Sequence, residues 1–135
     1  MADTENVQRV KAFFERWGTS YEELCASFHD FLTPDGRWEN VGLAVTHGPD
    51  EAVSDFIDKA HASGLDTVKV EFIHIGESDN IVWGERIDHI VTPDGQVAIS
   101  VPVASVMEMT PEGRCASWRE YFDGRLGEQL VAGSG

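Results

Sequence analysis

The sequence predicts an α+β fold in which helices cover one face of a curved, mixed or antiparallel β-sheet. Three observations carry this. Apolar residues recur at helical spacing through most of the first 60 positions. From residue 67 the pattern changes to alternation with period two. The alternating segments are joined by short turns rich in Gly, Pro, Asp and Asn, which make neighbouring strands antiparallel hairpins. Helix, helix, strand, helix and then four strands is an α+β order, with three to four helices in all. A length of 135 residues gives one domain spanning 1–135, large enough for a real core.

Each element has its own signal. Val7, Val10, Phe13, Phe14 and Trp17 form the apolar stripe of an opening helix. "GTSYEEL" restarts the chain, with Ser20 and Glu23 spaced as a capping box. Tyr21, Leu24, Cys25, Phe28 and Leu32 give the second stripe, and "TPDG" at 33–36 reads as a turn. "RWENV" is a short strand that puts Trp38 and Asn40 on one face. "HGPDEAVSDFIDKA" is a third helix that begins near Pro49 and buries Val53, Phe56, Ile57 and Ala60. The four later strands are "TVKVEFIHIGE", "NIVWGERIDHIV", "QVAISVPVASVMEMT" and "GRCASWREYFD". Pro102 cannot donate to a ladder, so it marks an edge or a bulge in the third of these. "GRLGEQLVAGSG" is a partial lid or a frayed tail.

Composition removes several classes of function. A net charge of −14 opposes binding to nucleic acid or to an anionic membrane surface. "MADTENVQRV" lacks a basic-then-apolar signal pattern and no run approaches membrane-spanning length, so a cytoplasmic protein is expected. Cys25 and Cys115 lack metal-site spacing and are expected as reduced thiols. The five histidines (29, 47, 61, 74 and 89) show neither HxH nor HxxxH spacing, so no metal site is expected. His74 and His89 read as cross-strand neighbours with a structural or surface role. No GxSxG, P-loop or GxGxxG occurs.

Three charged residues stand out. One face of the "NIVWGERIDHIV" strand carries Val82, Gly84, Arg86, Asp88 and Ile90, placing an arginine and an aspartate among apolar neighbours. On the last strand, Ala116, Trp118, Glu120 and Phe122 share the inward face, and Cys115, Ser117, Arg119, Tyr121 and Asp123 the outward one. If Arg86, Asp88 and Glu120 share a pocket, two carboxylates and one guanidinium sum to −1, and one bound proton neutralises the group. Such a site holds an acid and a base together near neutral pH.

"RWENVGLAVTHGPDEAV", "FIHIGESDNIVWGERIDHI" and "CASWREYFD" together resemble the limonene-1,2-epoxide hydrolase family, within the wider NTF2-like/SnoaL-like fold. The resemblance runs from about the first helix to Asp123. It implies a cone-shaped sheet around a deep apolar pocket, often in a homodimer joined through the sheet. It also implies cofactor-free, one-step hydration of a bulky apolar epoxide to a vicinal diol. By motif, Asp88 is the acid that protonates the epoxide oxygen and Arg86 the bridge. Glu120 stands at the position of the base, and Asn40 at that of the asparagine that holds the water.

Trp38, Val101, Trp118 and Phe122 are the expected substrate contacts. The chain departs from the family pattern twice, with Glu120 where aspartate is usual and Trp38 where a tyrosine is. A longer base would meet a water whose place the indole has taken. Two other readings stay open on this fold: a ketosteroid-isomerase-like or polyketide-cyclase enzyme, and a non-catalytic small-molecule-binding protein.

Overall fold

The computed structural model describes residues 2–132. Helix α1 (Glu5–Arg16) begins where the Thr4 hydroxyl accepts the Val7 amide at 3.2 Å. Helix α2 (Tyr21–Phe31) begins where the Ser20 hydroxyl accepts that of Glu23 at 3.1 Å. The other half of the capping box is diverted: the Glu23 carboxylate accepts from Arg16 at 2.9 Å. Helix α2 passes directly into β1 (Leu32–Asn40), so Leu32, the last member of the predicted stripe, is the first strand residue.

The predicted turn at 33–36 is part of β1. Leu32 pairs with Cys115 and Arg37 with Ser117, so residues 33–36 stand opposite one residue of the partner strand as a wide bulge. The Pro-Asp-Gly chemistry is used to bend a strand, not to reverse the chain. Trp38 and Asn40 both point inward and are buried. A short strand with no sequence signal of its own, β2 (Ala44–His47), folds back against β1.

The helical stretch that follows has three parts: α3 (Gly48–Glu51), a π-helical segment (Ala52–Ile57) and α4 (Asp58–Ala62). The stripe of Val53, Phe56, Ile57 and Ala60 suits either turn width, so the π segment is invisible in the sequence. Phe56, Ile57 and Ala60 are buried, and Val53 half-buried.

Four long strands complete the sheet: β3 (Thr67–Ser78), β4 (Ile81–Val91), β5 (Val97–Met109) and β6 (Cys115–Tyr121). The order across it is β2-β1-β6-β5-β4-β3. The β3–β4 turn is tight, with Asp79 at φ 50° and Asn80 at φ 58°. It fixes a register in which His89 opposes Lys69 and His74 opposes Glu85, so the two histidines are not neighbours. β1 and β6 pair in parallel, a contact between distant segments that no turn announces.

Two further details matter for the site. β5 pairs with β6 only from Ala104 onward, so Pro102 lies where that side of β5 is a free edge, with no bulge at the proline itself. On β6, Met109 pairs with Cys115 and Glu108 with Ser117, which leaves Ala116 as an extra residue. This bulge breaks the predicted alternation. Cys115 is fully buried and Ala116 exposed, the reverse of the expectation, while Trp118 and Glu120 keep the inward face. "GRLGEQLVA", expected as a partial lid or a frayed tail, forms helix α5 (Gly124–Ala132), and the last three residues lie outside the described region.

Helices and sheet meet in an aromatic core. Phe13 stacks on Phe31 with centroids 4.1 Å apart, and Trp38 stacks on its register partner Trp118 at 4.7 Å. Gly48 shows how tightly β1 meets α3: its φ is +82° and a Cβ there would run into the Pro34 carbonyl oxygen. Gly48→Ala should therefore destabilise the fold by about 2 kcal/mol. Urea denaturation measures this, and a variant as stable as the parent would contradict the packing described.

Candidate active site

Arg86 is the most deeply buried charged residue of the inward face, at 1 % exposure, with Glu120 at 4 % and Asp88 at 8 %. Strand period two puts Arg86 and Asp88 side by side on β4. The β5–β6 register puts Glu120 opposite Ser105, which in turn opposes Gly84 of β4. Three adjacent strands thus bring the group together.

The guanidinium makes a two-point contact with Asp88: Nε donates to Oδ1 at 2.8 Å and Nη2 to Oδ2 at 3.1 Å. Nη2 also donates to Oε2 of Glu120, so one nitrogen is shared by both carboxylates. Nη1 donates to the Ser105 hydroxyl at 3.2 Å. The Phe14 ring of α1 lies under the guanidinium, its centroid 4.3 Å from Cζ. The second oxygen of Glu120 accepts the indole N–H of Trp38 at 3.2 Å.

These contacts set the ionisation. Burial alone would lower the pKa of Arg86, but the charges of Asp88 and Glu120 outweigh it and keep the guanidinium protonated. For Glu120 burial is the larger influence, joined by the charge of Asp88, and it raises the carboxyl above the ordinary glutamate range. Arg86 and the Trp38 indole oppose that rise. One positive charge faces two carboxyls, so the group holds one carboxyl more than its cation balances.

The carboxyls open onto an apolar cavity in which the centre of a water-sized sphere has about 60 Å³ to move. Trp38, Asn40, Asp88, Val101, Glu120 and Phe122, all singled out from the sequence, line it. Asn40 sits in register with Glu120 on the parallel β1–β6 pair. Trp118 is not among the residues that line the cavity: it is fully buried and stacks on Trp38. Arg86 is also set back, behind its two carboxylates. Phe56 and Ile57 of the π segment form part of the opposite wall, and Gly127 brings α5 to it. A Cβ on Gly127 would collide with the Phe122 ring, so the glycine lets α5 sit close against that wall.

Three features were not anticipated from the sequence. Ser105 follows Val101 and Val103 on the inward alternation of β5, and that period could have flagged it. Phe14 was legible only as a core residue. The Trp38 indole does more than remove a hydroxyl, because it donates to the longer Glu120 arm. Among the described residues no group of three or more His, Cys, Asp or Glu side chains could hold a metal ion. No described helix is long and apolar enough to cross a membrane.

Arg86 bridges Asp88 and Glu120, both of which line an apolar cavity, on an NTF2-like fold. Residues 4–126 match the limonene-1,2-epoxide hydrolase catalytic domain, and the chain belongs to that family. Solved structures with the same fold include an LEH-like epoxide hydrolase from M. tuberculosis, with 24% identity, TM-score 0.68 and coverage of 96% of this chain and 91% of that one. An NTF2-like protein of unknown function from Burkholderia pseudomallei is 20% identical, with TM-score 0.72 over 95% and 98% of the two chains. SalBIII, an epoxide hydrolase/cyclase-like enzyme in pyran ring formation in the polyether salinomycin, is 17% identical, with TM-score 0.67 over 88% and 91%. At these identities the solved structures speak to fold alone.

Removing Arg86 tests the geometry without any substrate. Arg86→Leu leaves two buried carboxyls without their cation and should destabilise the fold by about 3–5 kcal/mol, read by urea denaturation. An Arg86→Leu protein that melts like the parent would place the pair outside the buried site described.

Proposed function

We propose that the protein is an epoxide hydrolase that adds water to a bulky apolar epoxide in one acid–base step, giving a vicinal diol. The observation that carries this is the Arg86 nitrogen shared between Asp88 and Glu120, both of which line an apolar cavity. Asp88 gives its proton to the epoxide oxygen as the ring C–O bond breaks. Glu120 takes a proton from the water whose oxygen forms the new C–O bond. Asn40, beside Glu120, holds that water. The pair begins and ends with one proton, which returns from Glu120 to Asp88 through exchange with solvent. Ring strain supplies driving force, so the protein's part is to protonate oxygen and aim water. Trp38, Val101 and Phe122 would contact the apolar body of the substrate, and neither metal nor organic cofactor is needed.

The outer face of the sheet supports a second proposal, that two copies associate through it as a homodimer. Trp83 at 47%, Tyr121 at 47% and Ile73 at 45% exposure leave large apolar side chains in water there. Trp83→Glu should shift the sedimentation of a dimer to that of a monomer. A parent that sediments as a monomer would reject the association.

Asp88→Asn and Glu120→Gln keep shape and remove proton chemistry. Each should cut epoxide turnover by about a hundredfold or more, measured as diol formed from a panel of terpene, aryl and steroid epoxides. Activity should fall as pH falls, because Glu120 must be ionised to take a proton from water. Burial raises Glu120, so that loss should begin above the ordinary carboxylate range. Chelator-treated protein should keep full activity. Either variant turning over within about tenfold of the parent, on the order of 1 kcal/mol of barrier, would overturn the assignment.

A further inference from the structure

Arg86 can serve two carboxyls only while its plane and rotation are fixed. Its hold on Asp88 is two-point and local, between residues two apart on one strand. Its hold on Glu120 is a single contact to another strand, through a nitrogen already committed to Asp88. A guanidinium free to pivot would keep the fork to Asp88 and lose Glu120. Two residues stand against that pivot. The Ser105 hydroxyl accepts from Nη1, the nitrogen that no carboxylate uses, at 3.2 Å. The Phe14 ring covers a face of the guanidinium at 4.3 Å.

Phe14 is itself held in place. It is 1 % exposed and packs edge-on against Trp17 at 4.8 Å and Phe72 at 5.7 Å. Neither Phe14 nor Ser105 is among the residues lining the cavity, so neither is placed to meet a bound molecule. We infer that Phe14 and Ser105 are positioning residues, which clamp the Arg86 guanidinium so that one nitrogen bridges both carboxyls. The inference deepens the acid–base reading of the site and rests on it. It makes helix α1, remote in sequence from β4 and β6, a working part of that site.

The readout is the titration of Glu120 itself. The groups facing it are Arg86 and Asp88 from β4, the Trp38 indole from β1, and Cys115 on its own strand. Burial pushes the Cys115 thiol up to about 12, so it stays neutral through the range in question. Losing the Arg86 contact withdraws a charge-assisted hydrogen bond from the ionised carboxyl, which should raise its midpoint by about one pH unit.

Glutamate labelled with carbon-13 at the carboxyl, with the Glu120 signal assigned by its absence in Glu120→Gln, follows this by NMR without substrate. Phe14→Leu and Ser105→Ala should each move the Glu120 midpoint upward, and Ser105→Thr, which keeps a hydroxyl, should restore it. Midpoints that stay at the parent value while thermal stability falls would show that both residues only pack, and would overturn the inference. The same would follow if Ser105→Thr shifted as far as Ser105→Ala. Failure of the parent to hydrate any epoxide would count against the proposed reaction and leave this titration unchanged.

Discussion

The structure depends on a guanidinium buried under a sheet. A lone Arg86 at 1 % exposure would cost several kcal/mol in lost hydration. Two carboxyls offset its charge, Ser105 satisfies a further N–H, and an aromatic ring replaces water over its face. Each partner comes from a different element, so the fold must deliver β4, β5, β6 and α1 to one place. Meeting that requirement also creates an excess of one carboxylate. The groups that stabilise the cation therefore include the two carboxyls that line the apolar cavity.

The cavity sets the surroundings of those carboxyls. Beyond Asn40 and the two carboxyls its wall is mostly aliphatic and aromatic, so charge is poorly screened and a polar reactant is confined to one end. Trp38 links the halves of the site: its ring belongs to the stacked core with Trp118 and its N–H reaches Glu120. Glu120 is one methylene longer than the aspartate of the family pattern, and Trp38 supplies a donor at the place where a tyrosine is usual. The hydrogen bond between them means that the two departures meet in one contact.

Much of this was legible in the sequence, and the exceptions have physical causes. Period two on β4 and β6 was enough to put Arg86, Asp88 and Glu120 indoors, because alternation is a direct consequence of strand geometry. Helix stripes and the turn at Asp79–Asn80 were equally local. What failed was non-local or degenerate. The bulge at Ala116 turned Cys115 inward, since one inserted residue reverses every face before it. "TPDG" has turn chemistry whether it reverses a chain or bulges a strand. The π segment shares its apolar stripe with an α-helix. Trp118, on the correct face, was screened from the cavity by Trp38, and no periodicity tells first layer from second. Parallel pairing of β1 with β6, which sets Asn40 beside Glu120, joins segments that only the complete fold brings together.

The central claim is that the carboxyls move protons and water alone attacks the epoxide. A single turnover in oxygen-18 water, with protein in excess over a terpene epoxide, separates this from covalent catalysis. One labelled oxygen is expected in the first diol formed, with no label in the carboxyls of Asp88 or Glu120. An unlabelled first diol, with its new oxygen drawn from either carboxyl, would mean that a carboxylate attacks carbon and would contradict it.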